Sequence, residues 1–369
     1  MKNSSTGSFI LLLSYFNEAF RVFLDAEQDT SAVDRFYTIA NHTVRLRFVG
    51  QTLVDSLSPA LEHLVAERVP EQSLTVCLWD GASTKKQIPS FPWDENVTMA
   101  KNIQSPNEGT NPVIYFYDER IRGAYQVGTD TLSMLDTKLN TAIFWVPDVF
   151  KISYYERSSP LRALFQWWAN NHRLQLLHSG AIGIDTGGIL LVGEGGSGKS
   201  TTALACLQSK LCYVSDDYCL VDRDSHPYAH SVYSSAKIDE KGLQRFPHLA
   251  LAAENIERLA EEKALLFLNR HWPEKISRGF PVRALLVPRI TGGEKTRLTP
   301  ASPRDTLLAF APSTMLQLRG ATQEDLSFMA RLNRHLPGYF LELGKNTDNV
   351  PDIILDLLSK NDNSVNAWA

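Results

Sequence analysis

The residues most able to do chemistry lie together in the second half of the chain. Gly193-Glu194-Gly195-Gly196-Ser197-Gly198-Lys199-Ser200 fits G-x-x-x-x-G-K-[ST] at every fixed position. Average residue usage would place that pattern in such a chain by chance on the order of once in a hundred. Glycines let successive backbone N–H groups turn inward and approach phosphate oxygens closely, and a helix starting near Lys199 adds its positive end. Lys199 can reach the β and γ phosphates, and the Ser200 hydroxyl can ligate Mg²⁺. With Thr201, residues 193–201 form the candidate nucleotide-binding stretch. A carboxylate beside phosphate is repulsive, so Glu194 is expected to point outward.

Asp216 and Asp217 end the next apolar run. At a strand end beside such a loop, one carboxylate helps hold Mg²⁺ and the other is free for a second role. The alternative reading is an Asx-type turn stabiliser. His178 precedes Lys199 by 21 positions (199 − 178) and stands before Ser179-Gly180. Taken alone it reads as a core or turn histidine. The other eight histidines form no cluster; His226 and His230 are four apart, but Pro227 between them opposes a helix.

These groups need elements to hold them. The run 189–192 is continuously apolar, as in a strand buried on both faces. A helix pattern follows through Ala203, Leu204 and Leu207, then a strand over 211–215. Leu176-Leu177 and the run 181–184 read as a hairpin entering the loop strand. Further on, the pattern predicts a helix over 254–269 and a strand over 284–287. Thr322 with Asp325 makes a capping box for the helix before Leu336-Pro337-Gly338. This alternation indicates an α/β domain with a largely buried sheet.

The first 155 residues read differently. Val44, Leu46 and Phe48 alternate with Arg45 and Arg47, and Leu74, Val76 and Leu78 repeat the pattern. Short apolar runs at 113–117 and 142–146 are separated by polar connections such as 102–112. A β-rich domain over 1–155 and an α/β domain over 156–369 are expected. A helix with the stripe Leu161, Leu164, Phe165, Trp168 joins them, capped by Ser158 or Ser159 with Pro160 at its first position.

Composition narrows the function classes. In 369 residues, 43% are hydrophobic and 21% charged, which is ordinary for a globular chain. A net charge of −4 gives no electrostatic reason to expect nucleic acid or an anionic membrane as partner. The longest apolar run, 9–16, is too short to span a bilayer, and no small-x-small cleavage site follows it. Cys77, Cys206, Cys212 and Cys219 match neither a metal pattern nor a disulfide framework. Reduced thiols, and hence a cytoplasmic protein, are the expectation.

His178-Ser179-Gly180, the stretch from Gly193 to Ser200, and Val214-Ser215-Asp216-Asp217 together resemble the catalytic domain of the HPr kinase/phosphorylase family. In that family a His precedes the loop Lys at the same spacing, and the second Asp of a pair follows it by 18 positions, as Asp217 does here (217 − 199). The close match covers about residues 178–222; a looser one extends to the C-terminus. The resemblance implies a P-loop kinase fold related to phosphoenolpyruvate carboxykinase, preceded here by the β-rich domain, and phosphorylation of a serine hydroxyl. It assigns phosphate contact to Lys199, Mg²⁺ to Ser200, proton acceptance to Asp217, and an active-site place beside the carboxylates to His178. Asp216 would orient the metal or the histidine. The family often forms a homo-oligomer; this chain carries no assembly signal of its own. Thr201 stands where the family has Glu, and its Glu-Ile-Arg-Gly segment has no counterpart. Phe280-Pro281-Val282-Arg283 is a faint echo of the stretch near a family active-site Arg.

The sequence therefore points to an ATP- and Mg²⁺-dependent kinase acting on a hydroxyl, with a serine-bearing peptide or protein as acceptor and HPr itself not required. Two other readings stay open. One is a kinase of a sugar or other small alcohol. The other is a P-loop ATPase or nucleotide-regulated binding module with no phosphoacceptor. The absence of an Asn-Lys-x-Asp motif favours ATP over GTP.

Overall fold

Leu12, Tyr15, Phe16, Ala19, Phe23 and Ala26 recur every three or four positions and are all buried. That spacing lines one face of an α-helix. They form the inward stripe of α1 (Asn3–Asp29), which takes in the apolar run 9–16. The computed structural model of the chain describes residues 3–91, 103–104, 113–318 and 322–362. Among them no helix is long and apolar enough to cross a membrane. The chain is a mixed α/β protein that divides into two compact units, Met1–His172 and Arg173–Ala369.

The first unit is built on an eight-stranded mixed sheet in the order β1-β2-β3-β8-β7-β6-β5-β4. Its strands are β1 (Ala32–Ile39), β2 (His42–Val49), β3 (Leu74–Asp80), β4 (Ile103–Gln104), β5 (Val113–Tyr117), β6 (Ile121–Gln126), β7 (Thr131–Asp136) and β8 (Thr141–Val146). β3 runs parallel to both β2 and β8. The alternation expected in β2 holds: Val44, Leu46 and Phe48 are fully buried. Arg45, on the other face, grips Asp34 through two hydrogen bonds of 3.0 and 2.7 Å. α1 lays its stripe on the sheet, with Phe23 against Trp79 at 5.9 Å. Apart from Ile103 and Gln104, the connection 102–112 lies outside the described residues.

Helix α2 (Arg162–Asn170) belongs to this unit, so the units part at residue 172 rather than near 155. Trp168 is fully buried and donates its indole N–H to Ser73 O at 3.2 Å. The expected serine cap is not used. Leu161 takes the N-cap position with φ 60°, and its N–H is met by Glu156 Oε1 at 2.8 Å. Ser158 instead closes a separate short helix, Tyr154–Ser158.

The second unit holds a nine-stranded mixed sheet. Its path runs β12-β10-β11-β17-β14-β13-β9, with β18 and β19 attached to β17. The strands are β9 (Leu174–His178), β10 (Gly180–Ile184), β11 (Gly187–Leu191), β12 (Cys212–Ser215), β13 (Tyr218–Asp222), β14 (Tyr228–Ser231), β17 (Gly279–Ile290), β18 (Arg297–Pro300) and β19 (Gly338–Leu343). β15 (Ser235–Ile238) and β16 (Ala264–Phe267) form a separate antiparallel pair.

The apolar run of β11 is buried on both faces. Ile189 and Leu191 enter one core with Ala203, Leu204, Val350 and Ile354. Leu190 and Val192 enter the other with Phe310, Phe328 and Met329. Helices α3 (Lys199–Ala205) and α6 (Val350–Asp362) therefore cover one face, and α4 (Pro303–Gln317) and α5 (Gln323–His335) the other. The capping box that opens α5 is formed by Thr322 and Asp325.

Two sequence expectations fail in this unit. Residues 254–269 are not one helix. Ala264–Phe267 is a fully buried strand paired with β15, and only Ile256–Arg258 forms a 3-10 turn before it. Asn255 enforces the bend: its Oδ1 accepts from Leu265 N at 2.7 Å and its Nδ2 donates to Lys263 O at 3.0 Å. Tertiary pairing overrides the helical spacing here. Nor are β9 and β10 a hairpin. β9 pairs with β13, whereas β10 pairs with β11 and β12.

Candidate active site

The failed hairpin is what builds the site. Between β9 and β10 the chain changes neighbours at Ser179, and between β12 and β13 it changes at Asp216-Asp217. The two changes lie side by side. His178 is opposite Tyr218, and Ala181 is opposite Ser215. Ser215 Oγ lies 2.8 Å from Tyr218 O and 3.2 Å from Ser179 O, which ties the two bends together. A bend at a strand end releases successive side chains from strict alternation, so both aspartates and the histidine converge.

Asp217 sits between two nitrogens. His178 Nε2 lies 2.8 Å from its Oδ1, and Lys237 Nζ donates to its Oδ2 at 2.6 Å. The Lys237 ammonium and the His178 contact hold this carboxyl well below the usual range, against the upward push of burial. Burial pushes the His178 imidazole down, more than Asp217 pushes it up. The neutral ring then carries its proton on Nε2, facing Asp217, and its Nδ1 accepts from the Ser313 hydroxyl on α4. Thr314 Oγ1, also on α4, accepts from His178 N at 3.3 Å.

Asp216 is 3% exposed, and the Lys237 ammonium that hydrogen-bonds Asp217 acts on it less directly. Burial first, and the neighbouring Asp217 charge second, raise its carboxyl to about 6. The nearby Ser200 hydroxyl acts the other way, favouring the ionised form. Tyr213 Oη lies 3.1 Å from its Oδ1 and donates to Ser235 O at 2.6 Å.

The glycine loop runs from the end of β11 to α3. Gly193, Gly196 and Gly198 have φ of 149°, 81° and 108°. A Cβ on Gly198 would also lie 2.5 Å from Leu343 Cδ1. Glycine is thus required at Gly198 for both conformation and space. Gly195 and Gly196 face open space. Lys199 is 6% exposed and folds back to donate to Gly193 O at 2.7 Å and Glu194 O at 3.0 Å. Burial lowers its ammonium, while Asp217 and Asp216 act in the opposite direction. Glu194 is exposed, as expected. Ser197 Oγ is buried without a hydrogen-bond partner. Thr201 is partly buried on the first turn of α3.

Phosphate oxygens fit these groups: an unpartnered hydroxyl, an ammonium held only by carbonyls, and a loop open above two glycines. Mg²⁺ fits the Ser200 hydroxyl and the Asp216 carboxylate, whose ionised form Ser200 favours. Among the described residues no group of three or more His, Cys, Asp or Glu side chains could hold a metal. Mg²⁺ is commonly bound by one or two carboxylates with substrate phosphates, so this is no obstacle.

Sequence reasoning singled out His178, Lys199, Ser200, Asp216 and Asp217, and the fold brings them together. It missed Lys237, Tyr213 and Ser313. The signal for Lys237 was a single cation between Ala236 and Ile238 in a short apolar strand. Arg283 does not join the site. It lies beside Gly187 at the far end of β11, and its Nη2 donates to Thr186 O at 3.0 Å. His226 and His230 form no metal pair; His230 Nε2 lies 3.0 Å from Asp222 Oδ1.

No family model matches the chain, and no curated protein matches it. Among solved structures, the Hpr(Ser) kinase/phosphatase from Coxiella burnetii is similar over 52% of this chain and 99% of its own. The identity is 12% and the TM-score 0.28, a distant fold similarity.

Proposed function

We propose that the chain is an ATP- and Mg²⁺-dependent phosphotransferase with a P-loop kinase domain, whose acceptor is a hydroxyl, most simply a serine of a peptide or protein. The observation that carries the reading is the convergence of His178, Asp216 and Asp217 beside the glycine loop, with Asp217 held between His178 and Lys237 and both carboxylates near enough to act on the Lys199 ammonium.

Each residue has a part. The loop N–H groups and Lys199 hold the β and γ phosphates, and Lys199 stabilises negative charge that grows on the transferring group. Ser200 and Asp216 would hold Mg²⁺, which supplies charge neutralisation at the same oxygens. Asp217 accepts the hydroxyl proton. Its affinity for that proton is low, because His178 and Lys237 both stabilise its ionised form. Phosphoryl transfer passes through a loose transition state in which the attacking oxygen is little bonded, so the proton leaves late. Orientation of the hydroxyl then matters more than basicity. His178, pinned by Ser313 on its other nitrogen, fixes the carboxylate's direction.

Incubation with γ-labelled ATP tests the reading. Label is expected in a serine-bearing acceptor. Label in a small alcohol would move the acceptor class, and label only in free phosphate would make the chain an ATPase. In Asp217→Asn, transfer should fall by about 10²–10⁴-fold while nucleotide is retained. Unchanged transfer removes Asp217 from the chemistry.

A further inference from the structure

The loop accounts for the phosphates of a nucleotide but not for its base. A cavity of about 490 Å³ opens beside the same helix, lined by Leu204 and Ala205 of α3 and by Gln208 just beyond it. Its opposite wall is the segment after β19, including Lys345 and Asn346. Phe246 and His248 close one side. On the helix rise, Leu204 and Ala205 lie about 8–9 Å along α3 from Lys199. The other wall also returns to the loop, because Leu343 at the end of β19 packs on Gly198.

The lining has the chemistry of a nucleoside site. Ligand pockets are commonly about 300–1,000 Å³, with aromatic surface and a few polar groups that fix orientation. Here Phe246 and His248, set edge to face at 74°, supply aromatic surface. Gln208 supplies an amide donor and acceptor for the edge of a base, and Asn346, whose Oδ1 accepts from Asp348 N at 2.7 Å, supplies its amide N–H groups. Arg245 contributes positive charge; Lys345 is paired with Glu294 at 2.9 Å, and Asp348 is the carboxylate of the lining.

The wall after β19 is preorganised. Gly344 N donates to Thr296 Oγ1 at 3.1 Å, and that hydroxyl donates to Asn346 O at 3.2 Å. Asn349 Nδ2 donates to Thr296 O at 3.2 Å, and Lys345 N donates to Gly293 O at 2.8 Å. A wall fixed in this way orders little on binding, which lowers the entropic cost.

We propose that this cavity holds the base and ribose of the nucleotide whose phosphates occupy the glycine loop. The proposal rests on the phosphate-loop reading and is tested so that the two can fail separately. Calorimetry compares ATP with inorganic tripolyphosphate, both with Mg²⁺, in the wild type and in Ala205→Phe and Gln208→Trp, which fill the cavity. Gln208 is exposed, and thermal melts show that each variant is folded. The wild type should bind ATP at least about tenfold more tightly than tripolyphosphate, a difference of about 1.4 kcal/mol. Both variants should lose that preference and keep tripolyphosphate affinity. Equal wild-type affinity for the two ligands overturns the proposal while leaving the loop reading intact. So does unchanged ATP binding in the folded variants, or parallel loss of both ligands. Failure of the wild type to bind either ligand overturns the loop reading, and this proposal falls with it.

Discussion

Replacing Asp216 by Asn should make the nucleotide-free protein more stable at neutral and alkaline pH and leave it unchanged at acid pH. Asp216 is nearly sealed from water and has Asp217 as its neighbour, which raises its carboxyl from the ordinary 3.8 to about 6. Below 3.8 the group is protonated whether the chain is folded or not. Between 3.8 and about 6 the unfolded chain gives up the proton while the folded one keeps it, so stability falls as pH rises. Above about 6 the full cost is present. At about 1.36 kcal/mol per pH unit, that cost is about 3 kcal/mol. Asn is near in shape, keeps an oxygen facing Tyr213 Oη, and cannot ionise. The variant's advantage should therefore appear from about pH 4 and level off above about pH 6. At about 2–4 °C per kcal/mol for a unit of this size, melting should rise by several degrees. Urea titrations across the pH range give the difference directly, provided the slope m is unchanged. A variant no more stable than the wild type at alkaline pH, or one whose advantage grows toward acid, would refute the reasoning.

Four further outcomes follow from the same geometry. Lys237→Ala should cost about 3–5 kcal/mol, because it strips the cation from a buried carboxylate pair; the Lys237→Ala/Asp217→Asn double variant should recover part of that loss in urea melts. Ser313→Ala should cost about 1–3 kcal/mol by leaving His178 Nδ1 buried without a donor, and the His178 imidazole resonances should shift in NMR. Gly198→Ala should destabilise by more than about 1 kcal/mol, from its positive φ and the Leu343 contact. Gly195→Ala, which meets open space, should stay within about 0.5 kcal/mol of wild-type stability yet weaken nucleotide binding in calorimetry.

What could be read from the sequence was local. The loop motif needs consecutive residues, and the alternation of β2, the apolar β11 and the Thr322–Asp325 capping box are all short-range patterns. The misses share one cause. Residues 254–269 have helical spacing, but the buried Ala264–Phe267 strand answers to β15, some thirty residues earlier, and Asn255 bends the chain toward it by bonding Leu265 and Lys263. The presumed hairpin around His178 failed because β9 finds its partner in β13, far along the chain. That same long-range pairing sets His178 against Asp217. The sequence could nominate both residues and give no geometry for their meeting. Lys237 and Ser313 were invisible for the same reason, since neither belongs to a motif and each reaches the site from a different element.

The most direct test of the central claim is a crystal structure with Mg²⁺ and a non-hydrolysable ATP analogue. The account predicts the γ-phosphate over residues 193–199, in hydrogen-bond reach of Lys199 Nζ, with the Asp217 carboxylate turned toward the side from which a hydroxyl would attack. Density for the triphosphate elsewhere, or an Asp217 shielded from the γ-phosphate by intervening chain, would contradict it.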